Sequence, residues 1–209
     1  MNRKLLNHIG FWTSWFAVIT QFVLMLQNKQ TPYLETIIRF FSFFTILTNT
    51  IVSLFFSAQL ISSKKNPLNF LNKNGALTAI TVFILLVGIV YQVVLRSIWE
   101  PKGLQKIVDE LLHSFIPLFV FLYWFLFSKK EDLKFTTFPK WLSYPILYFI
   151  FIISRGLASG FYPYPFVNVD VLGWIKIGIN FVLITITILI LFVILVFIGQ
   201  RKNIKQKTL

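Results

Sequence analysis

Apolar residues recur along this chain in six long runs, separated by short segments where Lys, Asn, Pro and Gly collect. The runs cover residues 8–26, 37–60, 76–95, 111–127, 141–158 and 173–198. A helix crosses the hydrocarbon of a bilayer in roughly 20 residues, so each run is read as a membrane span. The pattern predicts an all-α polytopic membrane protein, one integral domain over residues 1–209 built as a bundle of six transmembrane helices. Proline and glycine punctuate the connections. Residues 62–75 read as a turn-rich loop, and residues 96–110 as a charged connection with a short interfacial helix after Pro101. Pro117 is expected to kink the fourth span, and the prolines at 163 and 165 exclude a regular helix over residues 160–170.

The second run carries an internal polar stripe. At 100° per residue, Ser42, Thr45, Asn49, Ser53 and Ser57 fall within about a third of the helix circumference, with Phe and Leu filling most of the rest. Lipid cannot satisfy these groups, so the stripe is expected to face protein or a water-lined cavity.

Composition supports the membrane reading. Apolar residues make up 56 %, charged residues 13 %, and the mean hydropathy is +0.75. The net charge of +13 would suit a nucleic-acid partner, but no nucleic-acid-binding module accompanies it. Its distribution fits topology instead. Thirteen Lys and Arg lie in the N-terminal segment, the second and fourth connections and the C-terminal tail, against six in the other three connections and their helix ends, which also hold five of the seven acidic residues. The positive-inside rule then predicts both termini in the cytoplasm. A bias toward Asn, Lys, Ile and Phe is that of a low-GC genome, which points to a bacterial inner (plasma) membrane.

This topology gathers the chemically capable side chains toward the outer face. Thr45 and Asn49 descend from the outer end of the second span, and His113 opens the fourth. Arg155 closes the fifth, and Tyr162, Tyr164 and Asp170 follow in the loop. Asp109, Glu110 and Asp170 are the expected partners of Arg155, whereas Arg39 is expected to snorkel to the interface. His113, one of two histidines, has the chemistry of a general base near neutral pH, and a Thr hydroxyl needs such a base to attack a carbonyl. Each of these groups also has a plainer use in helix packing. Two histidines and no cysteine leave no ligand cluster with metal-site spacing, and there is no Gly-rich phosphate loop or serine elbow. Neither a metal nor another cofactor is expected.

Three motifs carry a resemblance: FFTILTN at 43–49, HSFIP at 113–117 and RGLASGFYPYPFVNVD at 155–170. Together they resemble the Pr6Pr family of six-span bacterial membrane proteins over nearly the whole chain. More distantly the chain looks like the androgen-induced gene and androgen-dependent TFPI-regulating proteins, membrane threonine hydrolases that cleave fatty acid esters of hydroxy fatty acids. That resemblance implies Thr45 as nucleophile, with Thr48 as the alternative, and His113 as base. It also implies a membrane lipid or lipid-like ester as substrate. From placement alone, Arg155 with Asp170, Tyr162 and Tyr164 is expected to hold a carboxylate or phosphate head group, and Asn49 or a tyrosine hydroxyl to meet the oxyanion. The surroundings of His113 and the tyrosine-proline loop depart from those hydrolases. A non-catalytic protein that binds a lipid or small solute in an outward-facing polar cavity is the competing expectation.

Overall fold

A computed structural model describes residues 2–61 and 66–205, with side chains to residue 202. Ser62 to Lys65 of the turn-rich loop and Lys207 of the tail lie outside the described residues, as does the side chain of Lys205. The chain is all-α, with helices α1 (Arg3–Gln27), α2 (Tyr33–Phe40), α3 (Phe44–Leu60), α4 (Ala76–Val90), α5 (Gly103–Glu110), α6 (Ile116–Phe127), α7 (Ser143–Ser159) and α8 (Val169–Lys205). A π-helical segment, Tyr91–Leu95, extends α4, and a second, Leu111–Phe115, joins α5 to α6. Among the described residues, five helical stretches are long and apolar enough to cross a membrane, and the bent pair α2–α3 makes up to a sixth. This is a polytopic membrane protein.

The helix α4 reads apolar all round, and the fold uses it accordingly as the central post. Its spanning stretch is 67 % buried, against 17–33 % for the other four, because α3, α6 and α8 pack around it. By contrast α7 turns Leu147, Ile150 and Leu157 outward, and α8 does the same with Ile175, Val182 and Leu183. With lipid as the solvent, these exposed side chains are in their proper environment.

The second run is not one straight span. The helix starts earlier than its hydropathy suggests, at Tyr33, breaks over residues 41–43 and resumes with a 71° bend. Phe43 adopts extended backbone (φ −83°, ψ 124°), without a Pro or Gly to enforce it. Such a break is stable in a membrane only if the freed backbone groups find partners. Two tyrosines supply them. Tyr148 of α7 donates its hydroxyl to the Ser42 carbonyl at 2.9 Å, and the Thr45 N–H donates to the Tyr164 hydroxyl at 3.2 Å.

The polar stripe shrinks correspondingly. Ser42 falls in the break, where its hydroxyl donates to the Ile38 carbonyl. Ser53 and Ser57 donate to the carbonyls four residues back, and Ser57 also accepts from the Trp15 indole N–H. These hydroxyls donate to their own helix, and Ser57 also accepts from a neighbour.

The fourth run also begins early. α5, the π segment and α6 form one continuous stretch over Gly103–Phe127. The expected interfacial helix is therefore its first turns, and His113 lies inside the span. Pro117 has no N–H for the His113 carbonyl four residues back, and the π segment absorbs the mismatch. Gly88 of α4 packs against this point, where an added Cβ would stand 3.2 Å from both the His113 oxygen and the Pro117 Cβ.

The break carries a test. Tyr148→Phe keeps the ring but strands the buried Ser42 carbonyl, at a cost of about 1–3 kcal/mol. Thermal unfolding in detergent should show a clear fall in Tm, whereas Tyr33→Phe, at an exposed tyrosine, should leave Tm unchanged.

Candidate functional site

The α3 N-terminus opens onto a cavity of about 250 Å³ enclosed by α3, α4, α7, α8 and the short helix Pro165–Val167. Its walls are almost wholly apolar: Leu86, Val87 and Val90 from α4, Ile146 and Phe149 from α7, Phe181, Ile184 and Ile188 from α8. Polar groups enter at Thr45, Tyr148 and Tyr164, with Thr185 on α8. Aromatic side chains of α7 pack across to α3 and α8 around it. Tyr144 stacks on Phe44 at 5.1 Å between ring centres, and Phe149 meets Phe181 at 4.3 Å.

Thr45 and Thr48 part company here. Thr45 lines the cavity, whereas Thr48 is fully buried and shares a 2.8 Å hydrogen bond with the Tyr144 hydroxyl. The Thr45 hydroxyl is 3.3 Å from the Tyr164 hydroxyl, which also takes the Thr45 N–H. Burial pushes the Tyr164 phenol above its ordinary range, while the Thr45 contacts oppose the shift. At neutral pH Tyr164 is therefore a neutral phenol, able to donate and accept but a poor proton acceptor for an attacking threonine.

His113 is engaged elsewhere. Its Nδ1 lies 2.9 Å from the Asp109 carbonyl oxygen and 3.3 Å from Asp109 Oδ1, and its ring stacks on Tyr91 at 4.1 Å. It does not line the cavity, and no hydrogen bond joins it to Thr45. Asn49 occupies the ground between the two segments. Its amide N–H₂ donates to the Thr45 carbonyl at 2.9 Å and the Leu112 carbonyl at 3.3 Å. Asn49 thus ties α3 to the π segment of the fourth run, and does not itself line the cavity.

The basic residues form a separate group at the α7–α8 loop. Arg155 pairs with Glu35 at 2.8 Å, a partner absent from the expected set. Asp109 is committed to His113 and Glu110 to Arg96, while Asp170 sits exposed in the first turn of α8. Arg39 does not simply snorkel either, because its Nε meets the same Glu35 oxygen at 2.7 Å. Both guanidinium groups lie over the Phe161 ring, at 4.4 Å for Arg39 and 4.7 Å for Arg155. The Tyr162 ring covers Gly156 so closely that an added Cβ would fall 1.9 Å from a ring carbon. Burial, reinforced by Asp170, raises the Tyr162 phenol above its ordinary range.

Sequence reasoning missed Glu35, Phe161, Tyr144 and Tyr148. Glu35 had a legible signal, the i,i+4 spacing to Arg39, hidden by starting the span at residue 37. Tyr144 and Tyr148 sit one turn apart on α7, but nothing in the sequence shows which backbone they serve. Among the described residues no three His, Asp or Glu side chains converge as metal ligands.

The chain contains no cysteine, so single thiols can be introduced on a silent background. Thr45→Cys and Thr185→Cys should react with N-ethylmaleimide in membranes about tenfold faster than Thr48→Cys, read by mass spectrometry; equal rates would remove the distinction between the two threonines.

No protein-family profile, no curated protein and no solved structure matches this chain.

Proposed function

We propose that this protein binds a single apolar chain of a membrane lipid in the cavity between α3, α4, α7 and α8. The observation that carries the reading is the cavity itself, almost wholly apolar, with Thr45, Tyr148, Tyr164 and Thr185 as its polar lining. Its 250 Å³ lies below the range of about 300–1,000 Å³ of ordinary ligand pockets, which suits one chain and not two. The surrounding helices present lipid-facing side chains, so a chain enters laterally without crossing water. In this reading the protein is a six-span, Pr6Pr-like protein of a bacterial plasma membrane with both termini cytoplasmic, supported by the charge distribution and the three motifs.

A second reading, hydrolysis of a lipid ester by Thr45, is favoured by one observation. Thr45 lines the cavity at the N-terminus of α3, where backbone N–H groups suit a developing oxyanion. Against it, the Thr45 hydroxyl faces a neutral phenol, and His113 is held by Asp109. Binding therefore ranks first. A fluorophosphonate probe separates the two: the binding reading expects no labelling, and labelling abolished by Thr45→Ala would establish hydrolysis.

Chain binding is tested with a photoactivatable dodecanol carrying a mid-chain diazirine, in nanodiscs. Label should map to Tyr148 and Phe181 in the cavity, and Ile188→Trp should suppress it without lowering Tm. Label confined to the lipid-facing Leu147 and Ile150 would overturn the reading.

A further inference from the structure

Two arginines at the membrane-embedded break share one carboxylate. Glu35 Oε1 accepts from Arg39 Nε and Arg155 Nη2, so the three residues carry a residual charge of +1. The Arg155 side chain is only 8 % exposed, and its Nε is buried without a hydrogen-bond partner. Its Nη1 is committed to the Ser159 hydroxyl and the Phe161 carbonyl. Arg39 is the open member. It spends Nε on Glu35, its side chain is 31 % exposed, and its two Nη groups have no hydrogen-bond acceptor among the described residues. A cation in an apolar setting is costly when uncompensated, and an anion beside it offsets that cost.

The pair is joined to the cavity by aromatic rings. Phe161, under both guanidinium groups, lies 6.3 Å from Phe43, which lies 5.7 Å from Tyr164, a residue of the cavity lining. A ligand whose chain fills the cavity and whose head passes Phe43 brings that head to Arg39.

We propose that Arg39 and Arg155, held on Phe161 and half-neutralised by Glu35, form the head-group site for an anionic single-chain amphiphile bearing a phosphate or carboxylate. This deepens the chain-binding reading and rests on it. Arg39 contacts the anion through its free Nη groups, and Arg155 supplies charge from beneath. Glu35 keeps the empty site tolerable and sets how much positive charge the ligand meets.

The test displaces the photoactivatable dodecanol from wild-type protein with dodecanol, laurate, dodecyl phosphate or inorganic phosphate. Laurate and dodecyl phosphate should succeed at about a tenth of the dodecanol concentration. Arg39→Gln, which leaves the Arg155–Glu35 pair intact, should erase that preference while keeping Tm and dodecanol affinity. Glu35→Gln should widen it, whereas a purely structural ion pair predicts a loss of binding for every ligand. Equal displacement by alcohol and anions in wild type would overturn the head-group site and leave chain binding standing. Failure of the photoactivatable alcohol to label the cavity would remove both. If inorganic phosphate, equimolar with dodecyl phosphate, abolished its advantage, the site would belong to a free anion and the lipid assignment would fall.

Discussion

The interrupted helix between Phe40 and Phe44 constrains much of this structure. Breaking a helix inside hydrocarbon frees backbone donors and acceptors that lipid cannot satisfy, and each stranded group costs several kcal/mol. Tyr148 caps the broken end's Ser42 carbonyl and Tyr164 takes the Thr45 N–H, so α7 and the loop after it are bound to the break. The tyrosine-proline loop acquires a physical meaning from this. Tyr164 takes extended backbone ahead of Pro165, which opens the short helix, and its hydroxyl meets Thr45, while Gly156 lets Tyr162 lie against α7. The cavity lies beside these contacts, with Thr45, Tyr148 and Tyr164 in its lining.

Much of the architecture was legible because hydropathy is a property of long windows. The runs at 76–95 and 141–158 match helices ending at Leu95 and spanning Ser143–Ser159, and the prolines at 163 and 165 interrupt regular helix between α7 and α8, where the short helix Pro165–Val167 forms. What was not legible is local. Residues 41–43, Phe-Ser-Phe, are ordinary helix formers, and only tertiary partners make the break. The same holds for the site. A stripe drawn at 100° per residue presupposes one continuous helix; it sets Thr45 apart from Thr48, and both lie within the part that remains helical. It also includes Ser42, which the break removes from α3. His113 illustrates another limit. Sequence places it on a helix, but π segments on both α4 and the fourth run direct its ring onto Tyr91 and Asp109 and away from Thr45.

Two polar layers therefore lie near the α7–α8 loop, and their chemistry differs. The inner one, Thr45 with Tyr164, is neutral, consisting of a hydroxyl pair at a helix N-terminus whose partial positive charge favours an electron-rich oxygen. The outer one, Arg39 and Arg155 with Glu35, is ionic. Such an order matches an amphiphile whose polarity rises from chain to linkage to head. Phe43 and Phe161 separate the layers, which keeps the neutral pair out of the strong field of the guanidinium groups.

The incomplete neutralisation of those arginines is the most informative electrostatic feature. If they served only to fasten α2 to α7, a second carboxylate would complete the pairing, since buried charges persist in proteins mainly when paired. One carboxylate oxygen instead divides its lone pairs between two guanidinium groups, and the Phe161 face, whose quadrupole attracts cations weakly, supports the remainder. Half compensation of this kind holds the empty site together while leaving one unit of charge for a ligand. It also places the demand for an anion on Arg39, the more exposed partner, so the buried Arg155 need not move when the head group arrives.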